Sequence, residues 1–349
     1  MKVGMLHSRR GVAGMWSPAL DAAALLGAAE INQQGGILGE ELEIVFGDCG
    51  FGSGEVAEAA VDHLIEVEGV RAIIGSHTSD LRDSITRRVS GRLPYIYTSQ
   101  YEGIAVGPST AAIGTTDVEL LGPALHWLKT TRNADRYFFV GNDYIWPRIT
   151  LGTARQALRQ QQSELVGTAL ISTRTLDFSS LIRTIAASTT QVVVMALVGQ
   201  CAVEFNRAFA AAGLDQKILR FGLIVDETVI CGIGADATTN LFTASSYFAG
   251  QHSHRNDSFL ERYHDAFGTH APPVSAGSIG AYEGLHVLAG LVRELGTFDS
   301  RRLARELNRS GSRRLPRHML ADQPTGISPT VYLGEAEGVT LRVVGELAH

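Results

Sequence analysis

The feature that most constrains this chain is an alternation along its whole length: a short apolar segment, a polar turn, an amphipathic helix, then the next apolar segment. That alternation marks parallel α/β sheets, because a crossover helix must carry each strand back to lie beside its neighbour. Val3 to His7 reads as the first strand. Ser17-Pro18 supplies an N-cap and a proline at the first helical position, and Ala19, Ala22, Ala23, Leu26 and Ala29 follow at helical spacing until Gly35-Gly36 stops the helix. Leu42, Ile44 and Phe46 form a second strand ending at Asp48, and a helix follows over Val56 to Val67. A buried third strand at Ala72-Ile73-Ile74, a helix from Asp80 to Gly91 and a fourth strand from Pro94 to Tyr97 complete the first series.

A second series begins after Thr115-Thr116-Asp117. Its strands are Tyr137 to Val140, Leu165 to Ile171, Val192 to Ala196, Leu219 to Val225 and Leu241 to Ser245, with helices between them such as Thr150 to Gln162 and Ala202 to Ala212. Two helices come next, Asn256 to Phe267 and Ser275 to Leu295, then a short one near Arg301 to Asn308, then strand-like pieces at Thr330 to Leu333 and Thr340 to Val344. At 349 residues the chain exceeds what one hydrophobic core usually covers. The expected fold is α/β, two doubly wound parallel-sheet lobes joined by a multi-crossing hinge. Residues 1–117 plus 251–328 would form the N-terminal lobe, and 118–250 plus 329–349 the C-terminal lobe. Crossings near Thr116-Asp117 and Ser246 to Gly250 would let the lobes close on a ligand.

Composition excludes several classes. A net charge of −6 argues against direct nucleic-acid binding, since phosphate contacts need clustered Lys and Arg. The one basic stretch, Arg313-Arg314-Leu315-Pro316-Arg317, reads as an ordinary solvated loop. Cys49, Cys201 and Cys231 are too few and too scattered for a disulfide framework or a metal site. The opening residues run straight into a strand, and no apolar run looks long enough to span a bilayer. The expectation is a cytoplasmic protein; the alternative is a periplasmic or extracellular one whose signal peptide has been removed. No cofactor and no metal are expected.

In doubly wound sheets ligands sit at the carboxyl ends of the strands. Four such ends are rich in hydroxyls and aromatics: Gly75-Ser76-His77-Thr78-Ser79, Tyr97-Thr98-Ser99-Gln100-Tyr101, Gly141-Asn142-Asp143-Tyr144-Ile145-Trp146 and Val225-Asp226-Glu227-Thr228. The first opens a helix, whose N–H groups and dipole can receive an acceptor oxygen.

These segments resemble the type I periplasmic-binding-protein superfamily of branched-chain amino acid receptors. Gly4 to Ser8, Glu30-Ile31-Asn32, Gly35-Gly36-Ile37-Leu38-Gly39 and Asp48 follow its N-terminal pattern. Tyr101-Glu102-Gly103 and Gly141 to Arg148 look most like its amide- and urea-binding branch, which includes an amide-sensing negative regulator of amidase operons. The resemblance implies that Ser79 holds the ligand's oxygen end; Thr78, read from the sequence alone, is a neutral hydroxyl beside it and a further ligand-binding candidate. Tyr97 and Ser99 would come from the next loop, and Tyr144 and Trp146 would cover the ligand. Ser99 and Trp146 depart from the family's threonine and tyrosine. Asp226 falls near the acid that amino-acid receptors use for an ammonium, while Glu227 matches a glutamate of the amide and urea branch.

Each of these residues also has a structural reading. Ser79 could be a helix cap, Tyr144 and Trp146 core aromatics, and Asp226 the cap of the following helix; Asp143 would hold its own loop. Arg82 is expected along an outer helix face and Arg148 within a helix, leaving no cation in these segments and favouring a neutral carbonyl ligand. Enzyme motifs fail. Gly232 to Ala237 spells a dinucleotide fingerprint but follows a helix, Ala276 to Gly280 lacks the strand a nucleophile elbow needs, and His252, His254, His264 and His270 lack metal-site spacing. The expected function is a non-enzymatic sensor for a short amide, urea or similar molecule. It would act through a protein partner of the antiterminator type and could form a homodimer. The alternative is the exported receptor of an ABC importer for urea, amides or branched-chain amino acids, with a permease as partner.

Overall fold

A computed structural model describes residues 1–107, 109–310 and 330–347; the basic stretch Arg313 to Arg317 lies outside these described residues. The chain divides into two compact units: Met1–Ser99, Ile104–Gly114 and His252–Pro329 form unit 1, and Gln100–Gly103, Thr115–Gln251 and Thr330–His349 form unit 2.

Unit 1 is built on β1 (Lys2–His7), α1 (Ser17–Gln33), β2 (Glu43–Asp48), α2 (Gly54–Asp62), β3 (Ile73–Ser76), α3 (Ser79–Val89), β4 (Tyr95–Tyr97) and β5 (Thr110–Ala112). Its five strands are all parallel, in the order β2-β1-β3-β4-β5. Val3, Met5, Ile74, Ile96 and Ala111 point to one face, where they pack against Leu20, Ala24 and Ala28 of α1 and against Leu285 and Leu288 of a later helix. Burying such side chains is worth about 1.5–3 kcal/mol each, so that sandwich is the main source of stability in this unit.

Two local readings change. Ser17 is not a cap: a 3-10 turn over Gly11–Trp16 feeds α1 directly, and Ser17 places its Oγ 3.0 Å from His7 Nε2. The second helix stops at Asp62 and widens into a π turn over His63–Val67. Strand β5 went unrecognised, since three residues reading Thr-Ala-Ala carry no periodicity.

The segment Gly11–Gln33 is long and apolar enough to cross a membrane by length and composition, contrary to the sequence reading. In the fold it is a core helix, because α1 packs along its length against a helix of the same unit and its most apolar window is 56% buried.

Unit 2 contains α4 (Asp117–Arg132), β6 (Arg136–Asn142), α5 (Ile145–Gln160), β7 (Glu164–Ile171), α6 (Ser179–Ala186), β8 (Val192–Ala196), α7 (Gln200–Ala211), β9 (Leu219–Gly222), α8 (Glu227–Ile233) and β10 (Leu241–Ser245). The chain then returns to unit 1 for α9 (His254–Phe267), α10 (Ala276–Leu295), which is the partner of α1, and α11 (Ser300–Ser310). It ends in unit 2 with β11 (Val331–Glu337) and β12 (Thr340–Leu347). The seven strands are ordered β12-β11-β10-β9-β8-β6-β7. From β7 to β10 they are parallel, but β11 and β12 are antiparallel, so this sheet is mixed rather than purely parallel. A two-residue turn with Gly338 at φ +62° permits that hairpin. Gly334 marks its bulge, where a Cβ would stand 2.9 Å from the Phe248 ring.

Candidate functional site

Each sheet reverses its strand order at one point, and that is where a crevice opens at the strands' carboxyl ends. In unit 1 the reversal falls between β1 and β3, and in unit 2 between β6 and β8.

In unit 1 the β3–α3 turn is held from below. His77 Nδ1 lies 2.9 Å from the Thr78 carbonyl, its Nε2 contacts the Tyr95 hydroxyl, and the Tyr97 hydroxyl donates to the His77 carbonyl at 2.9 Å. Gly75 makes this possible, because a Cβ there would stand 2.6 Å from the Tyr95 ring. Burial holds the His77 pKa down at about 4, so the ring is neutral. Tyr97 is fully buried and shapes this turn.

Thr78, not Ser79, occupies the N-cap position of α3, with extended backbone and no side-chain capping bond. Thr78 Oγ1 is buried without a hydrogen-bond partner, as is Asp80 Oδ1. Ser79 is the first helical residue and is buried. Ser99 is half-buried, its Oγ 3.3 Å from Ser76 Oγ. Arg82 does not run along an outer face. It is buried over the Tyr97 ring, 5.5 Å from its centroid, because its position on α3 faces the sheet. A cation is thus packed against the Tyr97 segment, where the sequence led us to expect none.

The end of β1, on the other side of the same crevice, was not singled out by sequence. Arg9 forms a two-pronged pair with Asp21 at 2.8 and 2.6 Å, and its backbone N–H donates to Asp48. Although burial opposes it, hydrogen bonds and charge from His7 and Arg9 leave the Asp21 pKa lowered. The Ser8 hydroxyl donates to the Gly50 carbonyl at 2.5 Å. Strand order, which the sequence does not display, is the signal that locates these residues.

In unit 2, Asn142 spans the β6/β8 reversal: its Oδ1 accepts from the Val198 N–H at 2.8 Å, and its Nδ2 reaches Cys201 Sγ at 3.2 Å. Tyr144 is half-buried at the N-cap of α5, and Trp146 is buried two residues on, with ring centroids 6.3 Å apart. Asp143 of the β6–α5 loop pairs with Arg148 of α5 at 2.5 Å.

At the end of β9, Asp226 caps α8 by accepting from the Val229 N–H at 3.0 Å. Glu227 is half-buried; its Oε1 accepts from the Ala249 N–H at 2.7 Å, while Oε2 is buried without a partner. Burial above all, with the neighbouring Asp226 charge, pushes its pKa up to about 8. Thr228 Oγ1 beside it is also unpartnered. Buried polar atoms left without partners are uncommon in proteins. The head of α3 carries two of them, Thr78 Oγ1 and Asp80 Oδ1, and the head of α8 another two, Glu227 Oε2 and Thr228 Oγ1.

The discarded enzyme motifs have structural roles. Gly232 to Ala237 spans the end of α8 and a 3-10 turn, with a helix leading in. Ser278 closes the start of α10, accepting from the Ser275 N–H and donating to its carbonyl at 2.8 and 2.9 Å. Burial pushes the Cys49 thiol up to about 12, which makes it a poor nucleophile. Among the described residues no cluster of three or more His, Cys, Asp or Glu could hold a metal.

A family model for periplasmic binding proteins matches residues 1–326. The "Leu/Ile/Val-binding protein homolog 6" of Brucella melitensis is 23% identical over 318 residues, covering 88% of this chain and 80% of that protein. The branched-chain amino acid transporter substrate-binding protein LivJ from Streptococcus pneumoniae, solved with isoleucine, superposes with a TM-score of 0.83 at 18% identity, over 99% of this chain and 98% of that one. An ABC-transporter solute-binding protein from Rhodopseudomonas palustris HaA2, solved with p-hydroxybenzoic acid, gives 0.84 at 17% identity, over 99% and 96%. These relatives are binding proteins and not enzymes, and the two-lobed α/β fold is theirs. With two units, each wound about its own sheet, and a match over nearly all its length, the chain belongs to the periplasmic binding protein family.

Proposed function

We propose that this protein is the solute-binding component of an ABC importer and that its ligand is a small apolar amino acid. The observation that carries this reading is Glu227, whose carboxyl group has one oxygen held by a backbone N–H and the other buried without a partner. An ammonium fits that oxygen: it would supply the missing hydrogen bonds and draw the carboxyl into its ionised form. Taken by itself, the head of α3 suits a carboxylate, since a helix's first N–H groups point out along its axis and Thr78 Oγ1 is buried there without a partner. The relatives' names support an amino acid and a transport role, and with it a periplasmic or extracellular location and a permease as partner. The reading as a cytoplasmic amide-sensing regulator with an antiterminator-type partner gains no support from them. A second reading, an aromatic carboxylate, is favoured by the p-hydroxybenzoic-acid-bound relative and by the Tyr144–Trp146 pair.

Calorimetry at pH 7 with leucine, isoleucine, valine, 4-hydroxybenzoate, urea and acetamide tests this, run in two buffers of different ionisation enthalpy. An amino acid should bind with release of a proton from Glu227, and Glu227→Gln should weaken it at least about tenfold while abolishing the release. Binding of 4-hydroxybenzoate alone, with no proton released, would establish the second reading. Tight binding of urea or acetamide, with none of the acids, would refute both.

A further inference from the structure

The segment Gln100–Gly103 belongs to unit 2 although the chain on both sides of it belongs to unit 1, and the chain enters unit 2 again at Thr115. These two crossings are stitched side by side. The Tyr101 N–H donates to the Thr115 carbonyl at 3.1 Å, and the Asp117 N–H donates to the Tyr101 carbonyl at 2.9 Å. The segment after β10 joins them, since the Thr115 hydroxyl donates to Ser246 Oγ at 2.9 Å. At the centre sits Asp117, the first residue of α4, with no exposed surface. Its Oδ1 accepts from Gln100 Nε2 at 3.1 Å, and its Oδ2 meets the Thr150 hydroxyl. Thr150 Oγ1 also lies 2.7 Å from the Trp146 carbonyl.

A hydroxyl has one proton. When Asp117 is ionised, Thr150 gives its proton to Asp117; when Asp117 is protonated, Thr150 accepts and its own proton is freed for the Trp146 carbonyl. The hydrogen bonds on the first turn of α5, which carries Trp146, thus depend on the charge of a carboxylate seated among the crossings. We propose that Asp117 is a positioning residue: it registers the Tyr144–Trp146 turn to the crossing segments, and its protonation state resets that turn.

Burial raises the Asp117 pKa to about 6, against the pull of Thr150, Gln100 and Trp146 and with the help of the Glu102 charge, so both states are reached in ordinary conditions. Other charged groups nearby are engaged elsewhere. Glu119 of the same helix accepts from the Thr116 N–H and hydroxyl, and Arg148 of α5 pairs with Asp143. This role rests on the proposed binding function only where it concerns ligand.

The ligand-free protein tests the clamp directly. With 15N-labelled tryptophan, the three indole N–H signals are followed from pH 5 to 8, Trp146 being assigned by Trp146→Phe. The Trp146 signal should titrate with a midpoint near 6, lose that transition in Asp117→Asn and shift it in Thr150→Val. A flat Trp146 signal, or one that titrates unchanged in both variants, overturns the proposal. Should Asp117→Asn fail to fold, Thr150→Val, which keeps the shape and removes only the hydroxyl, decides alone. Calorimetry with L-isoleucine adds the functional arm: Asp117→Asn should weaken binding about tenfold and flatten its pH dependence. If the parent binds none of the panel, the proposed ligand class is wrong, but the tryptophan titration still judges the clamp.

Discussion

Tyr95 donates its phenolic proton to Nε2 of His77, and both side chains are buried, so strand β4 anchors the ring of the residue that shapes the head of α3. The opposite assignment is excluded by the other ring nitrogen. Nδ1 faces the Thr78 carbonyl, which can only accept, so Nδ1 carries the hydrogen and Nε2 the lone pair. Burial keeps the ring neutral, so Nε2 is left as an acceptor for the Tyr95 hydroxyl.

This arrangement makes the fold sensitive to acid. The His77 pKa falls from 6.5 to about 4, first through burial and then through the charges of Arg82 and His7. Below pH 6.5 the unfolded chain takes up a proton that the folded one refuses, so stability should decline as pH falls from 6.5 towards 4. Tyr95→Phe should cost about 1–3 kcal/mol at neutral pH by leaving Nε2 buried without a donor. Urea unfolding at pH 7 and pH 5 checks both; a variant as stable as the parent would show that the contact contributes nothing.

Glu227 acts in the opposite direction. Its pKa rises from 4.5 to about 8, so between those values the folded state holds a proton that the unfolded state has lost. Stability should therefore be greatest below pH 4.5 as far as this group is concerned, and should fall as pH rises through 8. Glu227→Gln should remove that slope and stabilise the protein at pH 8 by on the order of 1 kcal/mol, reduced from the full linkage value because the residue is only half-buried. Thermal melts from pH 5 to 9 measure it, and an unchanged slope in the variant would assign the titration elsewhere.

Arg220 is a buried cation in unit 2. It donates to Asn206 Oδ1 at 2.7 Å and to the carbonyls of Ala237 and Thr239 at 3.0 and 2.6 Å, beneath the Phe209 ring. Burial lowers its pKa to about 10, which leaves it charged at neutral pH. Arg220→Met keeps much of the volume but strands these acceptors, and should cost about 3 kcal/mol or more. Denaturant titration gives the number; a loss under about 1 kcal/mol would mean that water replaces the guanidinium.

The alternation of apolar segments and helices was enough to identify two wound sheets, and Val192–Ala196 and Leu241–Ser245 could be located to the residue. Uninterrupted apolar runs mark strands covered on both faces, and period and burial are written in local residue order. Position along the chain likewise placed the hydroxyl-rich turns at strand ends, because in such folds a turn after a strand has nowhere else to go. What stayed hidden depends on partners distant in sequence. The antiparallel course of β11 and β12 is decided by the edge strand they meet. Arg82 is buried because its helix turns that position towards Tyr97, fifteen residues on. The Asp117 cluster unites Gln100, Asp117, Trp146 and Thr150, and only folding brings them together. Glu227 could be named from its motif, but its pKa comes from the burial that tertiary packing imposes. Local pattern determines which elements form; the charge, tautomer and hydrogen bonding of the site follow from desolvation, which exists only once those elements have packed.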